Sequence, residues 1–524
     1  MKKYIYLFLS AVLFASTSCS DFLSAYSQDM IVAKSCSDLD EVLLGDVYIK
    51  SYQVSTGPSG GRCAGFFNVL DDDLSTGSVG SETSKTWGDC LASIFGYYAW
   101  QLRVGSNYNA SYFQNDNVTY DDLYARINTI NVILDEIVDL PHESEKDYAT
   151  YLRVQGEACF LRAYFYFTLA NLYGDAYEPT TCSQKLCVPL KLTPYVEHDK
   201  DKDTQFKRAT VKEVYDQIIS DLTLAEDYLT KSPQNTAHRL HRASVEAVDL
   251  LFSRVYLFMQ NWEMAEQKAD AVINSSFFQL AELNAFEDGK IFLTRENAEV
   301  LFSQGPNNLS SENLFTARPG DFCVSRELYD LYDENDRRKS CFFGTHALSD
   351  SITLQNKFER GSIVSHISDV FTLRASEAYL NKAEACAMQK SQDKETEACK
   401  LLNALRKKRI IGYNDNIYSG EELVQQIRDE RRREFCFEAH RWFDLRRYAV
   451  CEAYPYSKSI IHVYSACGNN GVSYTEEYKL EEHDKAYTFA LPESVIKFDV
   501  VPMEDNPREA RKALSKKKPG EEGE

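Results

Sequence analysis

The sequence predicts a mainly α protein built from tetratricopeptide-like helix pairs, broken by one long loop-rich stretch. Three observations predict it. Apolar residues recur at three- and four-residue spacing over much of the chain from Asp121 to Ile273 and again from Leu373 to Tyr448. Alanine-rich helices meet at the tight turn Asn261-Trp262, the pattern of paired helices, although no clean 34-residue period is visible. Between residues 276 and 365 the helical period lapses, and Gly, Asn, Ser and isolated aromatics take over.

The elements follow in order. Lys2 and Lys3, the apolar run Tyr4–Phe14 and the small residues Ala15–Ser18 predict a signal peptide over 1–18. Cys19 comes next and is the expected lipidation site, as in bacterial lipoproteins. The apolar run is too short to span a bilayer, and no later stretch is apolar enough to do so. Residues 19–115 hold a tether, a first helix over Asp38–Tyr48 with Leu39, Val42, Leu43 and Val47 on one face, and loops. Gly57-Pro58-Ser59-Gly60-Gly61 matches a nucleophile elbow only as text, because no strand precedes it and no helix follows. Asp71-Asp72-Asp73 reads as a polar turn, lacking the other ligands of a calcium loop. The spacing of rings over Trp87–Arg103 allows helix.

Helical pairs fill 116–275. Leu123, Ile127, Ile130, Ile133, Leu134 and Ile137 form one stripe that ends at Pro141. Tyr148–Tyr173 is apolar on nearly every side and stops at Gly174, a sensible C-cap. Cys182 and Cys187, in the loop beyond it, are close enough to bridge. Helices follow over Thr210–Leu229, Ser244–Met259 and Trp262–Ile273. His238 and His241 lack an acidic partner nearby and read as ordinary surface. Helical pairs resume over 366–450, with helices from Leu373 and over Glu395–Lys408. Loops and short strands fill 451–508, and 509–524 lacks an apolar pattern and is expected to be disordered.

Composition excludes some functions. The net charge of −21 argues against nucleic acid as a partner, which needs a basic surface. No CxxC pair marks a zinc site among the 14 cysteines; if Cys19 is lipidated, an odd number remains. Cys159, Cys386 and Cys436 fall within helical patterns and read as buried thiols. No cofactor or metal site is expected.

Ser419–Tyr448 organises the rest. Ser419 and Glu422 form a capping-box pattern, and Leu423, Ile427, Phe435, Ala439 and Phe443 continue one stripe. Asp429 with Arg433, and Arg441 with Asp444, stand at helical spacing for ion pairs. Glu430-Arg431-Arg432-Arg433-Glu434-Phe435, then Glu438 and Arg441-Trp442-Phe443-Asp444-Leu445-Arg446-Arg447, resembles the signature helix of the SusD/RagB family of outer-membrane nutrient-binding lipoproteins. Three further blocks resemble the family in the expected order: Gly156–Asp175, Leu373–Ala385, and Tyr487–Pro492 with Asn506-Pro507.

The resemblance implies one domain over 19–524, a right-handed superhelix of tetratricopeptide-like pairs whose loop-rich half, with the 276–365 insertion, carries the ligand site. It implies that the charged helix is architectural rather than catalytic. It implies a lipid anchor in the outer membrane, a carbohydrate ligand, and a TonB-dependent SusC-like transporter as partner. By region, the resemblance points to Trp87, Tyr97, Tyr98 and Trp100 as stacking platforms and to Asp73, Asn107 and Arg318 as polar contacts. Sugars stack their C–H faces on aromatic rings and need carboxylates, amides or guanidiniums for their hydroxyls. Residues 290–345 hold no Trp, so peptides or glycoproteins remain open as ligands, as does a protein-binding scaffold or adhesion role. No catalytic motif supports an enzyme.

Overall fold

The computed structural model describes residues 33–50, 63–76, 95–105, 118–195, 206–232, 240–305, 307, 322–345, 352–359, 367–468, 471–498 and 501–518. Cys19, Ser59, Trp87, Asn107, His238 and Arg318 lie outside them.

Helices dominate the fold. Helix α1 (Cys36–Val42) starts at a capping box between Ser35 and Asp38 and runs into a π-helical turn, Leu43–Val47, which buries Leu43 and Val47 with Leu39. Helix α2 (Val118–Glu136) buries the predicted stripe Leu123, Ile127, Ile130 and Ile133. It packs on α3 (Glu145–Tyr173), in which every residue from Val154 to Tyr173 is buried. A helix apolar all round has to be enclosed, and α3 also packs against α4 (Val211–Lys231). Gly156 permits that approach, because a Cβ there would stand 2.6 Å from Leu229 Cγ. Gly174 caps α3 with φ −109°, outside the left-handed region; a Cβ there would stand 2.6 Å from Cys187 Sγ.

The pairing continues. Helix α5 (Val245–Phe258) packs on α4 and on α6 (Trp262–Ile273), whose N-cap is Asn261. Helix α7 (Ala375–Met388) lies against α6, α8 (Gln392–Lys407) and α9 (Gly420–Phe435). The chain is therefore a series of stacked helix neighbours, as the tetratricopeptide-like reading expected. Among the described residues, no helix is long and apolar enough to cross a membrane.

Short antiparallel pairs serve as braces. Strand β1 (Leu74–Thr76) pairs with β5 (Phe322–Val324), and β2 (Leu186–Pro189) with β3 (Arg208–Thr210). Strand β4 (Val300–Gln304) pairs with β8 (Phe371–Arg374), and β6 (Phe343–Thr345) with β7 (Ile352–Leu354). Strands β9 (Ile460–Gly468) and β10 (Gly471–Leu480) form a hairpin. Ser515–Lys517 add a third strand, β11, to its edge, so the segment from 509 to 518 is not the disordered tail expected. The backbone hydrogen bonds of the β10 edge hold it there.

Three local expectations fail. The stripe from Ser419 to Tyr448 is not one helix: α9 stops at Phe435 and α10 runs over Arg441–Ala449, with Phe437 and Ala439 at φ 59° and 57° between them. Ser419 makes no side-chain cap. The Glu395 carboxylate on α8 accepts from the Gly420 N–H at 3.0 Å instead, so the orphan donor is satisfied from another helix. Cys182 and Cys187 are buried free thiols rather than a bridge.

Candidate functional site

The charged signature turns inward. Glu430 and Glu434 sit one turn apart on α9, and Glu438 follows in the turn. Arg374, at the end of β8, reaches Glu434 at 2.6 Å, Glu438 at 2.8 Å and Glu299 at 2.8 Å. Arg409 holds Glu434 at 2.8 Å and Glu299 at 2.5 Å. Arg338 reaches Glu430, Glu434 and Asp336 at 2.8, 2.9 and 2.7 Å. Lys357 holds Glu438 at 2.7 Å and donates to the backbone of Glu434 and Cys436. All these groups are buried. Burial alone would raise the carboxyl pKa of Glu434, but the guanidiniums of Arg409 and Arg374 hold it well below its ordinary value. Glu430 and Glu438 are lowered in the same way, by Arg338 and Arg433 and by Arg374 and Lys357.

The remaining signature cations are also engaged. Arg431 joins Asp444 at 2.8 Å, and Arg447 joins Asp444 to Glu384 at 2.8 and 2.6 Å. Arg446 donates to the carbonyls of Asn171 and Gly174, the negative end of α3. The pairs expected within the helix do not form: Arg433 takes Glu430, and Arg441 takes Asp72 at 2.7 Å. Arg433 thus stays within its helix, at i,i+3 rather than i,i+4, while Arg441 pairs across the fold with the buried Asp72 carboxylate, which itself needs a cation.

This frame claims Asp73. The carboxylates of Asp71, Asp72 and Asp73 lie within 4.8 Å of one another and are buried. Arg432 reaches Asp73 at 2.7 Å and Asp72 at 3.2 Å, while Lys458 reaches Asp72 at 2.7 Å. The counter-charge comes from side chains, and Asp73 ties the N-terminal part of the chain to α9 rather than presenting a carboxylate to solvent. Burial, with the neighbouring charges of Asp73 and Asp72, pushes the Asp71 carboxyl well up.

Two of the expected platforms are core residues. Tyr98 is fully buried, donates its hydroxyl to the Val463 carbonyl at 3.0 Å, and stacks on His462 at 4.3 Å. Trp100 is 1 % exposed, donates from Nε1 to the Leu70 carbonyl at 2.9 Å, and stacks on His462 at 4.2 Å. Neither ring has a face open to a sugar. The spacing of these rings with Tyr97 could not say which of them is buried. Tyr97 is the half-buried member, lying flat against Phe66 at 4.0 Å and near Phe489 at 6.0 Å. That underpinning fixes the ring, which limits the ordering cost of any contact it makes. Trp87, Asn107 and Arg318 fall outside the described residues. The sequence reading missed His462, the imidazole on which both buried rings stack; an isolated His in a strand gives no such signal.

Comparison with known proteins agrees with this architecture. Residues 72–257 match the SusD-like_3 family, described as starch-binding and associating with the outer membrane, and residues 345–508 match SusD_RagB, the SusD family. A curated relative, SusD-like protein P2 of Formosa agariphila, is 25% identical over 79% of this chain and 87% of its own. SusD-like protein P38 of the same organism is 24% identical over 63% and 71%. A SusD superfamily structure from Bacteroides thetaiotaomicron has a TM-score of 0.65 at 20% identity, covering 90% of this chain and all of that one (100%). A putative sugar binding protein from Bacteroides vulgatus reaches 0.65 at 21% identity, over 91% and 99%. Surface glycan-binding protein A from Bacteroides fluxus reaches 0.61 at 17%, over 90% and 97%. At these identities the solved structures speak for the fold alone. The family matches, the ordered signature blocks and the inward-turned charged frame lead to one conclusion: the chain belongs to the SusD/RagB family.

Proposed function

We propose that the protein captures glycans at the outer surface of the outer membrane and passes them to a TonB-dependent SusC-like transporter, without chemistry of its own. A lipid on Cys19 anchors it, and no cofactor takes part. The observation that carries this reading is the assignment of the signature charges: Glu430, Glu434, Glu438, Arg432, Arg441 and Arg447 are held by ion pairs to other parts of the fold, and Arg431 and Arg433 by partners within the α9–α10 segment. That supports a rigid scaffold that binds rather than reacts. Solved relatives of the same fold bear names of sugar- and glycan-binding proteins, which supports a carbohydrate as the ligand class.

Within this reading the ligand meets the loop-rich half. Trp87 and Tyr97 supply stacking faces, and Asn107 and Arg318 supply polar contacts. Tyr98 and Trp100 support that face from behind, and Asp73 anchors it to the frame.

Native gels containing a panel of polysaccharides test the proposal on the chain from Ser20. Retardation by one or a few glycans, lost in Trp87→Ala or Arg318→Ala, is the expected result. Retardation by none, with binding to peptides or glycoproteins instead, would overturn the glycan assignment while leaving the fold untouched.

A further inference from the structure

A second site lies away from the charged frame. A cleft of about 310 Å³ opens between the first turn of α2, the end of β2 and the segment after Leu491. Its floor is Tyr120 and Tyr124, one helical turn apart, with ring centroids 4.6 Å apart and tilted by 37°. Phe206, Val495, Phe498 and Met503 line it further. Phe498 is 77% exposed, an unusual state for a ring that borders an apolar hollow.

We infer that this cleft binds a small ligand carrying an apolar ring, an aryl group rather than a bare sugar. Size and polarity both point there. The volume lies at the lower end of small-ligand sites, roughly 300–1,000 Å³. A pyranose brings several hydroxyls, each of which needs a partner once it leaves water. The cleft offers few. The Tyr124 hydroxyl is committed to the Pro189 carbonyl at 2.6 Å. The Lys191 ammonium is turned onto the carbonyls of Thr193 and Pro194 at 2.6 and 3.3 Å. Asp121 and Ser494 stand exposed at the rim rather than in the hollow. An aryl ring demands no hydrogen bonds and gains edge or face contact with the tyrosine floor.

The floor is also braced. Tyr120 meets Tyr173 edge-on at 5.2 Å, Tyr173 meets Phe489 at 6.3 Å, and Phe489 meets Tyr97 at 6.0 Å. The cleft therefore stands at one end of a packed aromatic row whose other end is the candidate sugar platform. A rigid, preformed floor suits a small ligand that brings little surface of its own.

The test uses 2-naphthol as the probe and the chain from Ser20, with binding followed by probe fluorescence. Saturable binding is expected. Phe498→Ala weakens it by roughly tenfold, the effect of removing most of one apolar wall. Phe498→Trp keeps the wall and retains binding, and melting temperatures stay unchanged because position 498 faces solvent. Methyl α-glucoside does not compete. Absence of saturable binding, equal binding by Phe498→Ala, or competition by the glucoside would each overturn the inference. Polysaccharide retardation read on the same variants is expected to be unaltered, so this inference and the glycan proposal fail separately.

Discussion

Glu434 shows how much a single position carries. It touches Arg374, Arg409 and Arg338 at 2.6, 2.8 and 2.9 Å from the centre of a buried network. Removing one partner of a buried ion pair leaves the others uncompensated, at a cost of about 3–5 kcal/mol. Glu434→Gln is thus expected to lower stability by that order, measured by urea unfolding; a change under about 0.5 kcal/mol, the size of an ordinary surface substitution, would contradict the frame. Trp100 makes a similar point about candidate sites. Trp100→Ala is expected to cost about 3–5 kcal/mol, as a buried aromatic truncated to alanine does. Any loss of ligand binding in that variant would come with a lowered melting temperature. From the sequence, the aromatic cluster and the triple aspartate were legible as places of interest. Their burial was not, because Tyr98, Trp100 and Asp73 are covered by β9 and α9, some 360 residues away in sequence. A charge run likewise looks solvated until its distant partners are known.

At the scale of elements, periodicity found the helices and missed how they end. The stripe through α2 and the enclosed surface of α3 were legible because burial follows the 3.6-residue period directly. The break after Phe435 was not. Its cause is the pair of left-handed residues that turn the chain and aim Glu438 at Arg374 and Lys357. Nor does a local pattern reveal a cap supplied by another helix. Ser419→Ala is expected to leave stability within about 0.5 kcal/mol, whereas Glu395→Ala costs about 1 kcal/mol, the worth of an N-terminal cap. Thermal melts of the two variants decide it, and a larger loss at Ser419 would reverse the assignment. Gly156→Ala places a methyl where Leu229 stands, and overpacking at such a helix contact costs about 1–3 kcal/mol. A neutral result in the same melts would show that α3 and α4 can part to admit it.

Across the whole molecule, the α class, the paired helices and the family were legible because four blocks recur in order along the chain. The loop-rich half was legible only as a region, since irregular backbone has no period to read. The frame also gives the molecule a pH dependence. Glu430, Glu434, Glu438 and Asp444 are all held below their ordinary values in the folded state, despite burial, by the arginines beside them. The unfolded chain then binds protons first as pH falls, so their contribution is fully present above about pH 4.5 and is lost below it. The part of the melting temperature that these four carboxylates supply is expected to be nearly level from pH 5 to 7 and to fall away below about 4.5. A melting temperature indifferent to acid would mean the carboxylates are not paired as described.

The proposed function divides the labour between a charged frame that holds the fold and a loop-side aromatic and polar face that holds the ligand. The most direct test measures polysaccharide retardation and melting temperature together on Trp87→Ala, Arg318→Ala and Glu434→Gln. The first two are expected to lose retardation at unchanged melting temperature, while Glu434→Gln loses melting temperature and, below it, still binds. Retained binding in both loop variants, or lost binding in a still-folded Glu434→Gln, would contradict it.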